Sequence, residues 1–151
     1  MKKIFNNSII SLIARLVLGW FFIYAAIGKI AEPTTFAKEI ANYAIMPQFF
    51  LNIIALTMPW IELVTGIFLI VGIRLKANAA IIGLMLVVFI VAVFSAMARG
   101  LDINCGCFSH KIVYVGWGKI AENTGLLLLS LYIFVYPLKK FSMENLARNE
   151  K

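Results

Sequence analysis

ANAAIIGLMLVVFIVAVFSAMA, Ala77 to Ala98, runs unbroken without one charged residue. A hydrocarbon core about 30 Å thick is crossed by about 20 helical residues, so this stretch reads as a membrane span. Arg74 and Lys76 stand just before it and Arg99 just after it, as cations do at the ends of a spanning helix. Working outward, three further apolar segments have spanning length: Ser8 to Lys29, Phe49 to Ile73 and Gly118 to Pro137. The expected fold is therefore all-α: a polytopic membrane protein whose four transmembrane helices form one bundle domain over residues 1–151.

Composition agrees. The chain has 151 residues, 62% of them hydrophobic, with a mean hydropathy of +0.93, too apolar for one soluble core of this size. Its net charge of +7 comes from cations gathered at span ends. There is no basic stripe with interleaved aromatics, so nucleic acid is not the expected partner; membrane lipid is. Arg15 interrupts the first apolar run, which reads as a retained helix and not a cleaved signal.

Between the first two spans, Pro33 stops one helix and Thr34 or Thr35 can cap another. Over about residues 34–46, Phe36, Ile40 and Tyr43 share one face, with Lys38, Glu39 and Asn42 elsewhere. This pattern predicts a short amphipathic helix on the membrane surface. Orientation follows from the cations. Lys2, Lys3, Arg74, Lys76, Lys139, Lys140, Arg148 and Lys151 fall on one side; Lys29, Lys38, Arg99, Lys111 and Lys119 fall on the other. The richer side is cytoplasmic by the positive-inside rule. In a bacterial inner membrane both termini are then cytoplasmic, and the loop 99–117 is periplasmic.

That loop holds the chain's two cysteines, in Asn104-Cys105-Gly106-Cys107-Phe108. Thiolate is the reactive form of cysteine, and Arg99, His110 and Lys111 are nearby cations or potential cations that favour it. A Cys-x-Cys bridge closes so small a ring that it is strained and readily reduced, which suits exchange better than stapling. Cys105 and Cys107 are thus the candidate redox pair. A static or inter-chain disulfide, a metal site with His110 and simple packing are the other readings; the metal site wants for a third and fourth ligand. The spans also carry embedded polar groups: Arg15, Glu62 with Thr65 and Gly66, and Lys119 with Glu122 and Asn123. Such groups turn inward and find partners. Pairing among themselves explains them, as does a polar pocket of Lys29, Glu62, Glu122 and Asn123 beneath the loop, for protons or a quinone head group. Trp20, Trp60 and Trp117 read as interfacial aromatics, with Trp60 deeper, packed at a kink beside Pro59.

Arg15-x-x-x-Gly19, Gly28-Lys29 with Pro33 and Phe36, Tyr43, Pro59-Trp60-Ile61-Glu62 with Gly66, Gly72, Cys105-Gly106-Cys107-Phe108, Trp117 and Glu122-Asn123 together resemble the MauE/DoxX group of small four-helix membrane proteins. The MauE, methylamine-utilisation branch is the most similar, over about residues 12–135. Ser109, where the family often has Gly, and Glu122, where Arg is common, depart from the pattern. The resemblance implies a redox-associated membrane protein, a thiol–disulfide oxidoreductase in enzyme terms. It implies a periplasmic thioredoxin-like partner in maturation of another protein, and a quinone as a further cofactor in the DoxX relatives. The alternative is a non-catalytic membrane anchor or assembly subunit of a larger oxidoreductase complex. A small transporter is a third reading, with no inverted repeat in its favour.

Overall fold

The structure, a computed structural model, describes residues 8–44, 47–101 and 116–137. Five helices follow one another: α1, Ser8–Ala31; α2, Pro33–Asn42; α3, Gln48–Val71; α4, Leu75–Ala98; and α5, Trp117–Val135. Among the described residues there is no strand. α1, α3, α4 and α5 are long and apolar enough to cross a membrane, and α2 is the short helix after the first. This is the all-helical, four-span architecture expected from the apolar runs. α1 packs chiefly on α3 and α4 on α5; α3–α4 and α1–α5 contacts close the bundle, and α2 rests on α3.

Seven-residue steps set these contacts. Arg15, Phe22 and Lys29 lie one heptad apart on α1, as do Ala55, Glu62 and Leu69 on α3, and all six are buried. On α4, Leu75, Ala79, Ile82, Leu86, Val93 and Ala96 hold the alternating three- and four-residue spacing of a bundle seam. One core joins Leu18 and Phe22 of α1 to Leu69, Ile82, Leu86 and Ile133. The opposite faces present Ile13, Val17, Phe50, Leu84, Val91 and Leu131, exposed as lipid-facing residues must be. Trp60 belongs with them at 54% exposure, facing outward beside the buried Pro59.

At Gly19 and Gly66 the backbones of α1 and α3 approach closely. A β-carbon on Gly19 would lie 2.8 Å from Gly66 O and 2.6 Å from Ile70 Cγ1; one on Gly66 would lie 3.0 Å from Gly19 O. Small residues serve this purpose in membranes, where dispersion between close backbones drives association. Gly72, in the left-handed region at φ 84°, ends α3, and its N–H returns to Phe68 O. Asn78 then donates to Ile73 O at 2.7 Å, fastening the α3–α4 turn. Ser130 of α5 donates to Ala79 O at 2.7 Å.

α2 begins with Pro33 in its first turn behind Glu32, so both threonines lie inside the helix and neither caps it. Its buried face is Phe36, Glu39 and Tyr43, while Ile40 is only partly covered. The sequence pattern assigns Ile40 inward and Glu39 elsewhere; the structure exchanges them, because Glu39 stands three residues after Phe36 and four before Tyr43, on the face both occupy.

Candidate functional site

The last turn of α1 and the middle of α3 meet through Lys29 and Glu62. Lys29 Nζ donates to Glu62 Oε1 at 2.6 Å and to Oε2 at 2.8 Å, with both side chains less than one-tenth exposed. The same ammonium lies 5.0 Å from the centre of the Phe36 ring, so α2 closes the pair with an aromatic face. Burying a charge is costly unless an opposite charge and further polar contacts offset it, and this arrangement supplies them.

Arg15 solves the same problem differently. It is 1% exposed, and its Nε and Nη2 donate to Leu69 O and Ile70 O, each at 3.1 Å. These carbonyls lie in the last turn of α3, where intrahelical donors run out and the helix dipole favours a cation. The embedded charges Lys119 and Glu122 pair with each other at 2.6 Å as expected, Glu62 takes Lys29 as its partner, and Arg15 caps a helix end.

A cavity of about 50 Å³ lies against this pair at the centre of the bundle. Phe21, Met58, Met85 and Phe89 supply apolar wall, and Lys29, Glu62 and Asn123 the polar wall. Asn123 is held by its own Nδ2 bond to Lys119 O at 2.7 Å. Thus three of the four residues assigned from sequence to a polar pocket share one cavity. Glu122 does not join them: it lies on the exposed side of α5, paired with Lys119 one turn earlier. The cavity suits a few water molecules, each needing about 10–15 Å³.

At this end of the bundle the connection between α4 and α5 begins and ends. Tyr43, Val93 and Ala96 form a second small core, against which Leu101 and Ile120 pack. Arg99, at the end of α4, donates from Nη2 to Tyr43 O and from Nε to Ser95 O at 3.3 Å. α2 is thereby tied to the root of the connection. Cys105 and Cys107, with His110 and Lys111, lie outside the described residues. Among the described residues no three His, Cys, Asp or Glu side chains gather as a metal site.

Glu39 is the site residue that sequence reasoning missed. It is 5% exposed, and burial pushes its carboxyl above the usual range; Lys29 opposes that rise and Glu32 adds to it. Burial and the charge of Glu39 push the Tyr43 phenol up to about 12. The available signal was the spacing: Glu39 falls three residues after Phe36 and four before Tyr43, on the face both occupy.

A multi-pass α-helical membrane protein with a buried ion pair at its centre is the class that fold and site define. Within it, the chain belongs to the MauE family, whose model, described as methylamine utilisation protein MauE, matches residues 7–136. The chain is 27% identical over 142 residues to the methylamine utilization protein MauE of Methylophilus methylotrophus, covering 92% of this chain and 75% of the relative. It is 29% identical over 106 residues to that of Methylorubrum extorquens, covering 69% of this chain and 57% of the relative. Against the Paracoccus denitrificans protein it is 28% identical over 121 residues, covering 79% and 65%. The chain thus spans less than two thirds of the latter two relatives. No solved structure matches it.

Proposed function

We propose that this protein carries out thiol–disulfide exchange through Cys105 and Cys107, on behalf of a maturation pathway of the methylamine-utilisation type. The partner is a thioredoxin-like protein of the periplasm. The bundle lies in a bacterial inner membrane with both termini in the cytoplasm. In the exchange, a partner thiolate attacks one sulfur of the Cys105–Cys107 disulfide. The S–S bond breaks, the leaving sulfur takes up a proton, and the second thiol of the partner resolves the mixed disulfide. The partner is oxidised and the pair reduced, with electrons and atoms conserved; the reverse sequence reduces the partner.

The observation that carries this reading is the way the cysteine segment is rooted. Leu101 and Ile120, on either side of it, pack on the same Tyr43–Val93–Ala96 core, and Arg99 bonds the Tyr43 carbonyl there. The described residues that flank the cysteine segment thus meet at one end of the bundle. The family membership and the strained ring expected of Cys-x-Cys support the chemistry.

Trapping tests it. With Cys107→Ser or Cys105→Ser, the remaining thiol cannot resolve a mixed disulfide, so at least one variant should capture a partner bond that reductant releases. If neither captures a partner and the double variant keeps full activity in its host, the exchange reading fails. The anchor or assembly role then takes its place.

A further inference from the structure

We propose that the outward face of the α1–α3 pair, centred on Trp20 and Tyr24, is the contact surface for a second copy of this chain within the membrane. This does not depend on thiol exchange. The spans Ile9–Ala31 and Phe49–Val71 are each 23 residues long, and Trp20 and Trp60 are their middle residues. Tryptophan belongs at the membrane–water interface, where its ring meets lipid and its N–H meets water. Here Trp20 is 68% and Trp60 54% exposed at the centre of a span, and neither indole makes a hydrogen bond among the described residues. Hydrocarbon offers the N–H no acceptor. Tyr24, one turn past Trp20, is 52% exposed on the same face. The other half of the bundle shows what lipid contact alone selects. Within three residues of the middle of α4 and α5, the large exposed side chains are Leu84, Val87, Val88 and Leu128, all aliphatic.

Depth and hydrogen-bonding capacity select the occupant. Copies of one membrane chain insert in the same sense, so a two-fold axis along the membrane normal sets each depth against itself. The Trp20 N–H then faces the Tyr24 phenol of the second copy, offset by about 6 Å along the helix, and the reverse pair forms across the axis. A phenol oxygen accepts whatever its own proton donates to, so this one face carries both halves of the bond. Shape agrees with this. Leu16, Val17 and Trp20 of α1 and Ile70 of α3 line an open groove of about 430 Å³, which can receive a facing aromatic ring. Trp60 precedes Ile70 by ten residues, which on an ideal helix puts it within about 80° of Ile70, on the same flank of α3. In the dimer the second copy replaces lipid over Val17 and Trp20 and supplies the acceptor that the indole lacks.

The test is the monomer–dimer equilibrium of the full chain in liposomes, read by energy transfer between copies labelled at the C-terminus as the protein is diluted in lipid. The wild-type protein should dimerise reversibly. Tyr24→Phe removes the acceptor and should raise the dissociation constant about three- to twentyfold, the range that hydrogen bonds between membrane helices span. Trp20→Leu removes both the donor and the ring and should raise it further. Leu84→Ala, on the outer face of α4, should leave it unchanged. All three side chains are exposed, so the variants should match the wild-type protein in helix content by circular dichroism. A chain that is monomeric at every dilution overturns the proposal and leaves the face to lipid or to a different chain. A dimer that both Trp20→Leu and Tyr24→Phe leave intact, or that Leu84→Ala weakens as much as they do, overturns the assignment of this face.

Discussion

A single lysine at the end of α1 decides how the buried polar groups of this protein are arranged. Lys29 holds Glu62 through both carboxylate oxygens and rests on Phe36. Removing one partner leaves the other charge buried and uncompensated. Lys29→Met or Glu62→Gln should therefore each destabilise the bundle, with about 3–5 kcal/mol expected for a broken buried pair. The paired apolar change Lys29→Met/Glu62→Leu should recover most of that loss. Detergent-induced unfolding followed by circular dichroism measures all three, and a double variant as unstable as the sum of the singles would refute the pairing argument. That Lys29 and Glu62 turn inward could be read from the sequence, because charge within an apolar run must find a partner. Which partner each takes could not. Arg15 was as good a candidate for Glu62 as Lys29, until the α1–α3 register placed Arg15 beside the last carbonyls of α3. Glu39 escaped for a related reason: side-chain type alone puts a carboxylate outside, and only the tertiary packing of α2 shows it buried.

Among the elements, α4 was fully legible, since an uncharged run of spanning length has one reading in terms of water and lipid. Its start, Leu75, precedes the expected Ala77 because Arg74 adopts a left-handed backbone that launches the helix earlier. Likewise α3 stops at Val71, short of Ile73, because Gly72 turns the chain. The α1–α3 contact shows what periodicity leaves out. Gly19 and Gly66 look like ordinary helix interruptions in sequence, yet they permit the two backbones to touch. Gly19→Ala should therefore cost on the order of 1–3 kcal/mol through overpacking against backbone. At Gly125 of α5 an added β-carbon meets nothing within 4 Å, so Gly125→Ala should be neutral or gain up to about 1 kcal/mol in helix propensity. Unfolding midpoints of the two variants compare them, and equal effects would remove the close-approach argument.

On the scale of the whole molecule, four lipid-facing helices and a small surface helix bring α1's last turn, α2, the end of α4 and the start of α5 together at one end. The buried charges, the water-sized cavity and the roots of the cysteine segment all belong to that end. In the proposed orientation, with both termini in the cytoplasm, that end faces the outer compartment. The most direct measurement is therefore labelling of Cys105 and Cys107 by a membrane-impermeant thiol reagent, on intact cells after mild reduction and permeabilisation of the outer membrane alone. The account predicts labelling of both cysteines under these conditions and none when reduction is omitted. Labelling that appears only after the inner membrane is broken would contradict it.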